Sequence, residues 1–234
     1  MRSRRCNPIK KEIMKKQLTL LAVLFLFIQF SFGQEKPRFW DDVQTIKKYD
    51  KIYQPNKNPI LFVGSSSIRK WDHLQQVFGA YNVINRGIGG AVIDDIIFYL
   101  DDLVFTYQPR KIVIYVGEND LPKEQETPEI ILDKTKQLFT AIRKELPEVP
   151  IVYIALKPSP VRAKYLSKCK TTNDLIAAFI KEEKNASFLD VYSLMMKDGK
   201  MIPEIFVEDM LHMNSNGYKI WEKAIEPYLV KNEK

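Results

Sequence analysis

Histidine is almost absent from this 234-residue chain, with His73 and His212 the whole complement. With so few imidazoles, and no His-Glu-x-x-His or Cys-x-x-Cys pattern, nothing in the sequence implies a metal or an organic cofactor. Cysteine is equally scarce, at two residues. Cys6 precedes the main apolar run, so it cannot be a lipidated cysteine following a signal. That leaves Cys169 alone in the body of the chain, where no internal disulfide can form and a structural role is expected. No Gly-Lys-Ser/Thr follows any glycine, which excludes a phosphate loop, and Val92 stands where a dinucleotide fingerprint over 85–92 needs its third glycine. A composition of 45% hydrophobic and 28% charged residues excludes both disorder and a multi-span membrane protein. There is no internal repeat, low-complexity tract or sign of a second folded domain.

The body of the chain also lacks net charge. Of the formal +7, the first 33 residues supply six, through seven basic side chains against Glu12 alone; the remainder has 29 basic and 28 acidic groups. A nucleic-acid partner, which a basic chain would suggest, is not expected. The basic cluster instead leads into an uncharged stretch from Gln17 to Gln34, apolar over 18–30, with Ser31 and Gly33 at the −3 and −1 positions of a cut after Gly33. These are the parts of a secretory signal peptide, and Met14 would begin one of ordinary length. The expectation is a leader over 1–33, a folded domain over 34–234, and export to the periplasm or beyond. An uncleaved anchor is the alternative, disfavoured because the apolar part falls short of the ~20 residues a spanning helix needs; after cleavage no membrane span is expected.

Short β-rich runs at 60–63, 82–85, 111–116, 151–155 and 188–191 alternate with helical patterns near 68–78, 93–105, 128–146, 173–184 and 215–230. Alternation without hairpin signals predicts an α/β domain with a five-stranded parallel sheet covered by helices on both faces. Stretches near 158–170 and 198–209 read as irregular. In such a sheet ligands bind beyond the carboxyl ends of the strands. Five of the nine glycines (Gly64, Gly87, Gly89, Gly90 and Gly117) follow the first three strands at that edge.

Three loops at this edge carry chemistry. Gly64-Ser65-Ser66-Ser67 places hydroxyls between a strand and a helix, where they serve as helix caps or as a nucleophile beside the positive helix end. It is not a Gly-x-Ser-x-Gly elbow, because Ile68 takes the last glycine position. A nucleophile needs a base. His73, seven residues beyond Ser66 on the predicted helix, would be roughly 10 Å along the axis. That leaves His212, with Asp209 three residues earlier, close enough for the carboxylate to fold against the imidazole. The second loop, Gly87-Ile88-Gly89-Gly90, can present a backbone N–H. In the third, Gly117-Glu118-Asn119-Asp120, the Asn119 amide can donate to an oxyanion or form part of a turn. The pairs Asp41-Asp42, Asp94-Asp95 and Asp101-Asp102 read as solvated helix or cap residues. Trp71, Met210, Leu211 and Met213 either fill core or line a pocket.

Together the loops resemble the SGNH, or GDSL, family of serine esterases and lipases, over nearly all of residues 60–228 and with four blocks in order. Gly64-Ser65-Ser66 stands for the family's Gly-Asp-Ser, with Ser65 replacing the usual Asp. The second block's glycine corresponds to Gly90, Gly-x-Asn-Asp to the loop with Asn119, and Asp-x-x-His to Asp209 and His212. The spacing is most similar to the platelet-activating-factor acetylhydrolase-type branch. The resemblance implies a flavodoxin-like three-layer α/β/α sandwich, with Ser66 as nucleophile and Asp209 and His212 completing a triad. It also implies an oxyanion hole from the N–H groups of Ser66 and Gly90 and the Asn119 amide. The implied activity is hydrolysis of carboxylic esters through an acyl-serine, on short acyl groups of carbohydrate or lipid substrates. Lipase-type action on envelope lipids, or ligand binding without catalysis, are the alternatives.

Overall fold

The computed structural model describes residues 36–229, together with residues 12 and 15–17. The chain divides into two units, Met1–Arg38 and Phe39–Lys234. Of the first, residues 12 and 15–17 are helical; the apolar run over 18–30 lies outside the described residues. No helix among the described residues is long and apolar enough to cross a membrane.

The second unit is built on five parallel strands, β1 (Ile60–Gly64), β2 (Val83–Gly87), β3 (Lys111–Tyr115), β4 (Ile151–Ile154) and β5 (Ala186–Leu189), in the order β2-β1-β3-β4-β5. All five were anticipated as short β-rich runs, though β2 continues through Arg86 to Gly87 and β5 begins two residues before the expected 188. The central β1, β3 and β4 are apolar at nearly every position because they are covered on both faces. Successive side chains still part to opposite sides. Leu61, Val63, Ile112, Ile114 and Tyr153 join one core layer, and Ile60, Phe62, Val113, Tyr115 and Ile154 the other. The sheet order reverses between β1 and β3, and at such a switch point the loops leaving the two strands diverge to opposite faces and open a crevice.

The first layer is completed by α1 (Trp40–Tyr53), α4 (Ile93–Phe98), α5 (Leu100–Leu103), α6 (Pro128–Glu145) and α7 (Leu166–Glu182). The second is completed by α2 (Ser66–Arg69), α3 (Leu74–Val77), α8 (Val191–Leu194) and α9 (Ser215–Ile225). Helix α6 begins with a Thr127 cap on the Ile130 N–H and Pro128 in its first turn. It buries Ile131, Thr135, Leu138, Phe139 and Ile142 along one stripe.

Elsewhere the structure departs from the expected helices for identifiable reasons. Residues 68–78 form two short helices, not one. Ile68, Trp71, Leu74 and Phe78 are all buried as their spacing predicts, but Trp71 N bonds Ile68 O and Leu74 N bonds Trp71 O, three-residue turns that break the α ladder. The segment 93–105 likewise divides into two helices, at Tyr99. Helix α7 starts seven residues before the expected Asn173 because its buried stripe begins with Cys169, Thr172 and Asn173, too polar to register as a core face. Helix α1 was not anticipated; of its fourteen residues only Val43 is buried. Within 198–209, read as irregular, Asp198-Gly199 turns a small antiparallel hairpin of β6 (Met196–Lys197) and β7 (Lys200–Met201), both turn residues having positive φ.

Candidate active site

At the end of β1 the backbone of Gly64 passes so close to β3 that a Cβ there would lie 1.9 Å from the Tyr115 carbonyl oxygen, and its φ is +144°. Glycine is required on both counts. Beyond it, Ser65 N donates to Tyr115 O at 2.8 Å, and Ser65 O accepts from Ile68 N and Arg69 N. The family's usual Asp is thus replaced by a buried serine whose backbone ties strand to helix. Ser66 follows as the first residue of α2, half-buried, with its N–H among those that a helix start leaves without an intrahelical partner.

Across the edge, the Ser66 hydroxyl meets His212 Nε2 at 3.0 Å, and His212 Nδ1 meets Asp209 Oδ2 at 2.5 Å. The other Asp209 oxygen accepts from the backbone N–H groups of Leu211 and His212 at 2.9 and 2.8 Å. Slight burial pushes this carboxyl up, but the hydrogen bonds from His212 and Leu211 outweigh it and hold Asp209 well below the usual carboxylate range. The carboxylate fixes the imidazole with Nδ1 as donor, leaving Nε2 to accept the serine proton. His73 is exposed, between α2 and α3.

The loop carrying Asp209 and His212 closes on itself. Val207 N bonds His212 O, Phe206 bridges Met213, and Asn214 N bonds Ile205 O. The Asn214 side chain donates to Glu204 O and Phe206 O and caps α9 through Asn216 N and Gly217 N. Gly217 then lies against the loop, where a Cβ would be 2.6 Å from Ile205 O. Of the four residues expected either in the core or along a pocket, Trp71 and Met213 are buried in the core, Leu211 is half-buried and Met210 is exposed. Val161 and Val207 are exposed beside it, Val161 N bonding Met210 O.

The second and third loops are fastened to the first. Ile88 N donates to Gly64 O at 2.8 Å, and the Asn119 amide nitrogen donates to Ala91 O at 3.0 Å, next to Gly90, whose φ is +80°. The structure therefore brings Ser66, Gly90, Asn119, Asp209 and His212 to one edge. The three acidic pairs lie on helices, Asp42 facing Arg69, Asp94 facing Lys134 and Asp102 facing Lys47. Cys169 is buried, and burial pushes its thiol up to about 12, so it is inert as a nucleophile.

A cluster that sequence reasoning missed lies under Asn119. Glu118 is buried and accepts from Lys157 Nζ at 2.9 and 2.8 Å, from Ser159 Oγ at 2.6 Å and from Tyr115 OH at 2.5 Å. Arg162 Nη1 donates to Glu118 O at 2.5 Å and lies 3.2 Å from its carboxylate, while Arg162 Nη2 donates to Asn119 Oδ1 at 2.7 Å. Burial pushes the Glu118 carboxyl up, but Lys157 and Arg162, with the Lys157 and Ser159 hydrogen bonds, carry it below its ordinary value and keep it ionised. Lys157, Ser159 and Arg162 all follow β4, the last two within the stretch 158–170 read as irregular, where Arg162 lies on a short 3-10 turn over Pro160–Tyr165. A lysine directly following an apolar strand at the ligand-binding edge was the available signal.

Residues 62–220 match the GDSL-like lipase/acylhydrolase family. No curated protein matches the chain in sequence. Among solved structures, a Streptococcus pneumoniae protein described as a platelet activating factor superposes with a TM-score of 0.72 at 20% identity, over 90% of this chain and 99% of its own. A Bacteroides fragilis protein described as an acylhydrolase gives 0.70 at 19% identity, over 82% and 97%. An acetylxylan esterase of Geobacillus stearothermophilus gives 0.60 at 14%, over 74% and 95%. At such identities the likeness is one of fold, and the fold is the sandwich that the sequence predicted.

Proposed function

The chain belongs to the GDSL-like lipase/acylhydrolase family and is a carboxylic ester hydrolase; from this premise we propose that it works through an acyl-enzyme on Ser66. The observation that carries this reading is the unbroken line from the Ser66 hydroxyl through His212 to Asp209. Nε2 of His212 takes the hydroxyl proton as Oγ attacks the ester carbonyl, and Asp209 stabilises the imidazolium that forms. Collapse of the tetrahedral intermediate expels the alcohol, which receives the same proton from Nε2. Water, deprotonated by His212, then attacks the acyl-serine and releases the acid. The oxyanion of each intermediate is held by the N–H groups of Ser66 and Gly90 and by the Asn119 amide.

The substrate class we propose is a short acyl group, acetyl first, on carbohydrate. Exposed Val161, Val207 and Met210 beside His212 offer a small apolar rim, and the Geobacillus protein of similar fold is an acetylxylan esterase. The basic and apolar leader supports export as part of this reading, and the mass of the N-terminus of protein recovered from the periplasm tests it.

The enzymatic test measures aryl acetate hydrolysis by the purified chain and by its Ser66→Ala, His212→Ala and Asn119→Ala variants. The first two should lose about 10⁴-fold or more in kcat, and the third about 100- to 1000-fold. A fluorophosphonate should label Ser66; full activity in Ser66→Ala would sink the assignment. A panel of acetylated sugars and aryl esters from acetate to octanoate addresses the substrate, and a steep rise toward octanoate would point to lipid esters instead.

A further inference from the structure

The Asn119 amide has an orientation dictated by partners of fixed polarity. Its oxygen accepts from Arg162 Nη2, which can only donate, and its nitrogen donates to Ala91 O, which can only accept. One Nδ2–H is thereby used and the other remains for a ligand. Arg162 is itself immobilised, because Nη1 is seated on the Glu118 carbonyl and against a carboxylate clamped by Lys157, Ser159 and Tyr115. The Arg162 side chain is about one-sixth exposed, so solvent screens its charge little. A cation on an amide oxygen draws electron density from the nitrogen and makes its remaining N–H a stronger donor. The preceding residue, Val161, donates its N–H to Met210 O on the loop that carries His212, so this segment touches both sides of the site.

We propose that Arg162 is a positioning residue for oxyanion stabilisation, fixing and polarising the Asn119 amide so that its free Nδ2–H meets the developing negative charge. The inference rests on the reading of Ser66 as nucleophile, and its effect falls on the transition state, where that charge exists, and not on ester binding.

The test is a double-mutant cycle on the full chain, with kcat and KM for 4-nitrophenyl acetate measured for Arg162→Ala, Arg162→Lys, Asn119→Ala and the combined Arg162→Ala/Asn119→Ala. Arg162→Ala should lower kcat about 10- to 50-fold with KM within about twofold. Arg162→Lys, which keeps the charge but not the fork, should recover part of the loss. In the Asn119→Ala background, removing Arg162 should cost less than about twofold, since the group it acts through is gone. Equal losses in both backgrounds, or a kcat for Arg162→Ala within about twofold of the parent, overturn the proposal. Should Arg162→Ala not fold, Arg162→Lys with and without Asn119→Ala carries the same comparison. Activity that survives Ser66→Ala defeats the acyl-serine reading, whereas Ser66-dependent hydrolysis with additive losses at Arg162 and Asn119 defeats this inference alone.

Discussion

His212 is carried on a loop partly open to solvent and is oriented by a carboxylate three residues away, itself nearly half exposed. Asn119 sits over a buried ion cluster whose other members arrive 39 to 44 residues later in the chain. The two sides of the site thus solve one problem, holding a polar side chain still, by opposite means. On the imidazole side a short stretch of backbone does the holding, and water can reach the carboxylate. On the amide side, water is excluded and charges must satisfy one another. Solvent-exposed pairs contribute little to stability, while a buried charge deprived of its partner is costly. Damage to the imidazole side should therefore appear in turnover alone, whereas damage to the buried cluster on the amide side should appear in stability as well.

The largest effect that would sharpen this contrast is expected from Asp209→Asn. It preserves the acceptor for Leu211 and His212 N–H but loses the anion and favours the wrong imidazole tautomer, so kcat should fall about 10³- to 10⁴-fold. The melting temperature should move by less than about 2 °C; a large drop would mean that the exposed pair supports the fold. Lys157→Met is the opposite case. Leaving Glu118 buried without its main partner should cost about 3–5 kcal/mol, on the order of 10 °C in Tm for a domain of this size. Calorimetry showing no loss would break the comparison.

Asp120 gives the smallest effect and depends on pH. Its carboxyl is buried, with one oxygen on Ile93 N and the other without a hydrogen-bond partner. Burial pushes it up to about 7, opposed by Lys123 and assisted by Glu126. The folded state therefore keeps a proton that the unfolded chain releases near pH 4, and stability falls as pH rises from about 4 through about 7. Asp120→Asn should remove that slope and leave the variant more stable than the parent by roughly 4 kcal/mol above pH 7, converging toward pH 4. Parallel Tm-versus-pH curves for the two proteins would contradict it.

The same contrast explains what was legible in the sequence. Asp209 and His212 could be paired because their contact is local; the strand-to-helix turn placed serine hydroxyls at the edge, and the resemblance to the family's Gly-Asp-Ser block singled out Ser66. The central strands were readable because burial on both faces leaves apolar runs. Arg162 could not be joined to Asn119, since the two stand 43 residues apart and, unlike Ser66 and His212, no chemical requirement or family block links them. Lys157 looked like an ordinary loop lysine, although it is among the most deeply buried side chains described. Helix α1 escaped because one buried residue in fourteen leaves no stripe to detect, and α7 was shortened because its first buried positions are a cysteine, a threonine and an asparagine.

Because the loop from Ile205 to Asn214 is closed by its own backbone pairs, it behaves as a small rigid cassette, and the reach of His212 to Ser66 is decided by where the cassette docks. Gly217, with no room for a Cβ between α9 and Ile205 O, is one of its docking points. A methyl group there, pressing on Ile205 O and Met213, would shift base and carboxylate as one body and leave their mutual geometry intact. Catalytic alignment in this molecule is thus a property of how two prefabricated parts are seated, and it can drift by whole-part displacement without any change in the parts themselves.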